Sequence, residues 1–278
     1  MTLVWRPDYN GTPGKMTLRQ TWQPMDSDAA AYITAVETAD GQALEEKVKI
    51  AIDNFVLGCK ADGIWSAIKA SCILAGARTT NGALVPLVGT APTPYNFDLV
   101  SDTDYDRKTG LVGDGSTKYL DSNRNNNADP QDSNHNAVYA TDIGTTAGMR
   151  IIGGNTTTYG TGDNVIGTSI NLIFVRQRNS AANSSLGTFV NNSLLGTSRS
   201  ESASYNVRIS GTSTLITQSS QFPSSADVRI FGGGSGAEAI TSPFNGRLAF
   251  YSIGESLDLA KLDARVTDLI NAFGVAIP

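Results

Sequence analysis

Two textures divide this chain. Up to about residue 76, apolar residues recur at spacings of three and four. From about Ala83 to Ile253 they alternate with polar residues, or form short apolar runs between clusters of Gly, Asn and Ser. The first texture predicts helices. Asp26-Ser27-Asp28 supplies capping side chains ahead of Ala29 to Ala39, and Gly41 offers a left-handed stop. Leu44, Val48, Ala51, Ile52 and Phe55 line one face of a second helix that Gly58 ends. Ile64, Trp65, Ile68, Cys72 and Ile73 predict a third, from about Ile64 through Leu74, with Gly76 as its stop. All three are short, so they are stable only when packed together or against something larger.

The second texture predicts strands. Ile170 to Val175, Tyr205 to Ile209, Asp227 to Phe231 and Arg247 to Ile253 have period-two or fully apolar patterning, and further runs lie near Val85, Leu111, Tyr119, Val138, Ile151, Val165, Phe189 and Leu215. A recurrence of about ten residues predicts an antiparallel sandwich or barrel rather than alternating strand-helix units. No longer repeat suggests a solenoid or propeller. The chain closes on a helix with Ser256 or Asp258 as cap and Gly274 as terminator. Leu259, Leu262, Val266, Leu269, Ile270 and Phe273 form its buried stripe, and Lys261, Asp263, Arg265 and Asp268 its solvent face.

Composition narrows the reading. Apolar residues make up 40% and charged residues only 17%, so the chain buries a core and covers its surface mainly with Ser, Thr, Asn and Gly. A net charge of -5 without any basic run argues against nucleic acid as a partner. The start, Met1-Thr2-Leu3-Val4-Trp5-Arg6, lacks a secretion-signal pattern and no long apolar run follows. That predicts a soluble protein without membrane insertion and without export by the general route. Residues 1 to about 25 read as an extended arm rich in Pro, with Trp5 and Trp22, suited either to docking on a partner or to packing back on the chain. Cys59 and Cys72 are the only cysteines, too few for a disulfide scaffold or a structural zinc site. They read as small buried hydrophobes, and a hairpin of the second and third helices would bring their sulfurs close.

Candidate chemistry is sparse. Asp121 to Asn136 is the most polar stretch of the β region and reads as a long loop. Its Asn123, Asn125, Asn126, Asp129, Asp132, Asn134 and His135 are candidates for contact with sugar hydroxyls, although Asn and Asp also favour turns for local reasons. Asp102, Asp104 and Asp106 alternate like the start of a calcium loop, which makes Ca2+ the one candidate ion; no other cofactor is expected. The pattern then fails, with Arg107 and Gly113 where such a loop needs Gly and Glu, and Arg107 with Lys108 could simply neutralise the carboxylates. His135 is the only histidine and has no nucleophile motif beside it. Glu201, Glu238 and Glu255 are isolated, so no glycosidase pair is evident, and Gly232 to Gly236 opens no helix that could cradle phosphate.

Asn245-Gly-Arg-Leu-Ala-Phe-Tyr-Ser-Ile-Gly-Glu-Ser-Leu-Asp258, the helix segment Leu262 to Asn271 and the block Arg107 to Leu120 resemble the concanavalin A-like lectin and glucanase superfamily, in the laminin-G-like form found in bacteriophage structural proteins. The block Asp53 to Ala70 is similar to the helical lead-in before such domains in phage tail and virion proteins. The resemblance implies a mainly β fold, an antiparallel jelly-roll sandwich with a small N-terminal helical module and a C-terminal helix. Residues 1–25 would be the arm, 26–82 a helical attachment module and 83–278 the sandwich. It implies a non-enzymatic component of a tailed-phage virion, in tail, baseplate or fibre, assembled in the host cytoplasm. The arm and helices would join other virion proteins, and the sandwich would take host-surface carbohydrate. Weak single sites would favour a homo-oligomer. A capsid decoration protein and a glycan-degrading enzyme on the same fold are the alternatives. The resemblance carries no ligand residues over.

Overall fold

The computed structural model describes residues 26–145, 148–154, 162–169, 172–181, 186–234 and 240–278. The N-terminal arm with Trp5 and Trp22 lies outside the described residues, as do Ile170 and Glu238. The described part is a sandwich of two antiparallel sheets with helices packed on one of them.

Helix α1 (Ser27–Asp40) begins where Asp26 Oδ1 accepts from the amides of Asp28 and Ala29, at 2.9 and 3.3 Å, and ends at Gly41 with φ 65°. Helix α2 (Glu46–Ala61) runs one turn beyond its predicted stop. Gly58 is a packing residue, not a terminator: a Cβ there would lie 2.7 Å from the side chain of Arg265 on the closing helix. Residues 64–74 correct the sequence reading most sharply. After one short 3-10 turn they form strand β1 (Ile68–Ile73), where a helix was expected. This strand is buried on both faces, so it lacks the polar alternation that separates a strand from a buried helix, and its apolar residues happen to fall at helical spacing.

Around Val85 the chain makes a single turn, α3 (Thr80–Ala83), and one bridge from Ser71 to Val88 instead of the expected strand. The strands that follow are β2 (Thr93–Tyr95), β3 (Tyr105–Asp106), β4 (Gly110–Val112), β5 (Tyr119–Asn125) and β6 (Asn134–Asp142). Then come β7 (Arg150–Gly154), β8 (Asp163–Ser169), β9 (Leu172–Asn179), β10 (Ser193–Arg199) and β11 (Ser204–Ile209). The last are β12 (Thr212–Thr217), β13 (Asp227–Ile230) and β14 (Arg247–Gly254), before helix α4 (Leu259–Ala276). The segment around Phe189, also expected as a strand, belongs to none.

One sheet runs β12-β11-β10-β6-β14-β4-β3, and the other β2-β5-β13-β7-β8-β9. In the first, β14 pairs with β6 along one edge. Along its other edge it pairs with β4 at Arg247 and Leu248 and with β1 from Phe250 to Gly254, so β1 and β4 lie end to end. The boundary expected at residue 83 is therefore no break in the structure. A segment assigned to the helical module completes the sandwich.

Alternation sorts the core into two layers. Val138, Ala140, Leu195, Leu248 and Tyr251 face Leu120, Ile152, Ile166, Val175 and Ile230 of the opposite sheet. Ala137, Tyr139, Leu194, Ala249 and Phe250 point the other way, against α1, α2 and α4. Phe55 of α2 meets Phe250 edge-on at 5.8 Å between ring centroids. The two cysteines fall in different layers, Cys59 among the helices and Cys72 between the sheets, which corrects the expectation that they approach each other. Burial pushes both thiols up to about 12, so they are inert. Two residues of the expected solvent face of α4 are also engaged: Asp263 is buried and bonds Arg208 of β11 at 2.6 Å, and Arg265 reaches Asp62 at 2.7 Å.

Helices and sandwich are thus expected to unfold as one unit. Phe55→Ala should cost about 3–5 kcal/mol and keep a single denaturant transition by both circular dichroism and fluorescence. A fragment of residues 83–278, which lacks β1, should show no cooperative transition, whereas residues 26–278 should retain one.

Candidate functional site

The stretch Asp121 to Asn136 is not a long surface loop, and this corrects the sequence reading. Strand β5 takes its first part and β6 its end, with one 3-10 turn at 126–128. Asn123 and Asn125 are exposed. Asn123 has φ 54° and donates from Nδ2 to Ala91 O and Thr93 Oγ1, at 2.8 and 3.0 Å. Asn126, Asp129, Asn134 and His135 are buried, and Asp132 is half-buried.

Two of these, Asn126 and Asp129, meet Arg178, one of two buried arginines that hold backbone carbonyls at one end of the sandwich. Arg178 donates to the carbonyls of Asn126, Asp129 and Pro130 and, at 3.3 Å, to Asn126 Oδ1. Burial pulls its guanidinium down to about 10, which still leaves it charged at neutral pH. Arg199 donates to the carbonyls of Gln177, Glu201, Ser202, Ser204 and Gln218, at 2.9 to 3.2 Å. Asn126 Nδ2 bonds Gly162 O at 2.8 Å, and Asp129 pairs with Arg124. Four of the seven candidate ligand residues are therefore part of the interior, where no glycan reaches them.

His135 is fully buried on the helix side of the sheet. Its Nδ1 lies 2.5 Å from the carbonyl of Glu255 and its Nε2 2.8 Å from Ser252 Oγ. A carbonyl only accepts, so Nδ1 carries the proton and Nε2 accepts from the Ser252 hydroxyl. The geometry is that of a serine-histidine dyad, but both residues are fully buried, so the pair is structural. Desolvation lowers the imidazole to about 4.

Asp102, Asp104 and Asp106 each serve local structure, and among the described residues no group of carboxylates, histidines or cysteines is arranged to hold a metal. Asp102 Oδ1 accepts from Thr80 N at 2.6 Å. Asp104 pairs with Lys118 and accepts from Asp98 N at 2.8 Å. Asp106 Oδ1 holds the turn through Lys108 N, Thr109 N and Thr109 Oγ1, at 2.7 to 2.9 Å. Alternation in sequence becomes three separate hydrogen-bonding duties, because the strand here is only two residues long.

A concave surface lies elsewhere. The start of α4 and the chain before it, residues 256–260, form one wall of a groove of about 420 Å³, and the helix-side face of β10, β11 and β12 forms its floor. Its polar lining is Ser198, Ser200, Asn206, Ser213, Ser256 and Asp258, with Leu257, Leu259 and Ala260 on the wall. Cross-strand register explains the floor: Ser198 pairs with Asn206, and Asn206 with Leu215, so the three form one row on one face. Leu215 is 61% exposed, an apolar strip beside hydroxyls and an amide. Ser198 Oγ is fixed by Leu257, donating to its carbonyl at 2.8 Å and accepting from its amide at 3.1 Å. Ser213 Oγ accepts from Arg208 at 2.9 Å. Asp258 caps the helix through Ala260 N and Lys261 N, at 2.9 and 3.3 Å. Sequence reasoning recognised Ser256 and Asp258 only as caps and missed the other four, because the row exists only once three strands are paired.

The edge of the second sheet offers a different surface. Tyr95, 40% exposed, stacks on Tyr119 with ring centroids 4.3 Å apart, and the Arg229 guanidinium lies 4.8 Å from the Tyr119 ring. Nearby, burial and then Asp121 raise the carboxyl of Asp227.

No protein-family model and no curated protein sequence matches the chain. Among solved structures, the botulinum neurotoxin serotype D/C binding domain shares 12% identity with a TM-score of 0.49, over 75% of this chain and 52% of that one. The CBM40 domain of the Ruminococcus gnavus IT-sialidase, bound to alpha2,3 sialyllactose, shares 10% identity with a TM-score of 0.38, over 52% of this chain and 83% of its own. Domain 4 of AbnA, a GH43 extracellular arabinanase from Geobacillus stearothermophilus in complex with arabinotriose, shares 14% identity with a TM-score of 0.40, over 66% and 82%. The likeness is one of fold.

His135 gives a signed pH effect. The unfolded chain binds a proton below about 6.5 and the folded one only below about 4, so stability is lost as pH is lowered through that window, by about 3 kcal/mol. Denaturant melts at pH 7 and pH 4 should show His135→Gln losing less stability than the parent over this interval.

Proposed function

We propose that this chain is a non-enzymatic component of a tailed-phage virion, in tail, baseplate or fibre, whose sandwich binds host-surface glycan in the groove between β10–β12 and the start of α4. The observation that carries this reading is the lining: hydroxyls and an amide from Ser198, Ser200, Asn206, Ser213 and Ser256, with Leu215 in the same cross-strand row as Ser198 and Asn206. A pyranose presents the complementary pattern, hydroxyls around an apolar ring face. The single carboxylate in the lining, Asp258, is spent on capping α4, so the groove has no second acid to pair with it for hydrolysis. A neutral groove of this kind binds weakly, and adhesion then comes from many copies. The attachment end is the helical layer, next to which Asp28, Ala31, Tyr32, Ala35, Trp65 and Val88 help line a groove of about 350 Å³.

A second reading, glycan cleavage, is favoured by Asp227, whose carboxyl is raised beside Asp121 near the Tyr95 and Tyr119 stack. One set of experiments separates the two. On a glycan array and on host cells the parent should bind, Asn206→Ala should weaken binding about tenfold, and Tyr95→Ala should leave it unchanged. Loss on Tyr95→Ala alone would move the site to the other sheet. Reducing ends released from host envelope glycan, and abolished by Asp227→Asn, would establish the second reading and end the first.

A further inference from the structure

We infer that β12 is the seam through which two copies of this chain pair, edge to edge and antiparallel, about a two-fold axis. Strand β12 bonds β11 along one side, and among the described residues no backbone group bonds its other side. All of Thr212–Thr217 is exposed except Ile216, which is half-buried, and Leu215 is 61% exposed. A free row of amides and carbonyls of this length, with high β-propensity and exposed aliphatic side chains, is a template for another strand.

What singles β12 out is its lack of protection. The other edges of the two sheets are each blunted. Strand β2 carries Pro94 and follows Pro92, which removes amides from the ladder. Strand β3 is two residues long and ends at Asp106 beside Arg107 and Lys108. Strand β9 carries Arg176 and Arg178 and is buried along nearly all its length. By contrast, no charged residue and no bulge interrupts β12, and between Arg208 and Asp227 the sequence has no charge at all.

That neutrality identifies the occupant. Each copy carries a net charge of -5, so two copies repel except where the approaching surfaces are uncharged, and β12 is such a place. An antiparallel edge is self-complementary, since a two-fold axis sets each strand's donors against its twin's acceptors. Register centred on Leu215 sets the two Leu215 side chains opposite each other on the helix side and places each Thr214 across from Ile216 of the second copy, diagonal to its own twin. The axis stands perpendicular to the sheet, so the groove of each copy opens on the same side of one continuous sheet. The pairing stands on edge geometry and charge alone, independent of what the groove binds.

The test is the oligomeric state of the full chain by sedimentation velocity over a concentration series. The parent should form dimers. Thr214→Lys and Thr214→Glu, each placing like charges across the axis, should raise the dissociation constant about tenfold or more, and a 1:1 mixture of the two variants should restore the dimer. Thr214 is exposed on the edge strand, so thermal midpoints should stay at the parent value. As a readout that needs no variant, hydrogen exchange at the amides of β12 should slow as parent concentration rises. A parent that stays monomeric, variants that dimerise like it, a mixture that stays monomeric, or exchange independent of concentration would each overturn the proposal.

Discussion

The structure depends on one strand being hydrogen-bonded to three others while both its faces are buried. Strand β14 joins β6 on one side and β4 and β1 on the other, and sends Tyr251 and Leu248 to the opposite sheet and Phe250 and Ala249 to the helices. A backbone buried on both faces must find all its partners within the protein. The long edge of β14 cannot be completed by β4 alone, which reaches only Arg247 and Leu248. Strand β1 fills the rest, and that requirement pulls a segment from the N-terminal quarter into the sheet. The helices then follow: the sheet face that carries Phe250, Tyr139 and Leu194 is apolar and must be covered, and α1, α2 and α4 cover it.

The far end of the sandwich is held differently. There buried guanidinium groups stand in place of aliphatic side chains. Arg199 meets five backbone carbonyls and Arg178 three. No carboxylate among the described residues pairs directly with either. A guanidinium has five donors in a fixed fork, so it can satisfy carbonyls of irregular chain that no ladder reaches. Each arginine therefore acts as a strut that positions a turn, 126–130 for Arg178 and 201–204 for Arg199. Burying such a charge is tolerable because backbone carbonyls meet its donors.

The same physics decides what could be read from the sequence. The apolar strands of the sandwich, the caps at Asp26 and Asp258, and the stripe of α4 are local signals, and each corresponds to an element in the fold. Strand β1 was illegible because burial on both faces erases the polar alternation that marks a strand, and the spacing of Ile64, Ile68 and Cys72 fits a helix equally well. The polar stretch 121–136 misled for a complementary reason. Its Asn and Asp residues look solvent-bound until Arg178, distant in sequence, supplies the buried donors that hold that segment inside. Gly58 and Arg265 failed likewise, since both answer to the crossing of α2 and α4, and Asp263 answers to Arg208 on β11; no local window contains either contact.

The candidate groove is the extreme case of this rule. Ser198, Asn206 and Leu215 are unremarkable outward positions on three different strands, and become a row only through two cross-strand registers. The wall depends on Leu257, whose backbone locks Ser198 in place, and therefore on the closing helix being seated by Leu259 over Gly196, where any Cβ would meet the leucine side chain at 2.7 Å. That seat in turn needs the apolar face of the sheet and its covering helices. Groove geometry is thus coupled to the packing of α4 rather than to loop conformation. On the glycan reading, this makes the site pre-formed and rigid, so that ordering costs on binding are small even though each contact is weak.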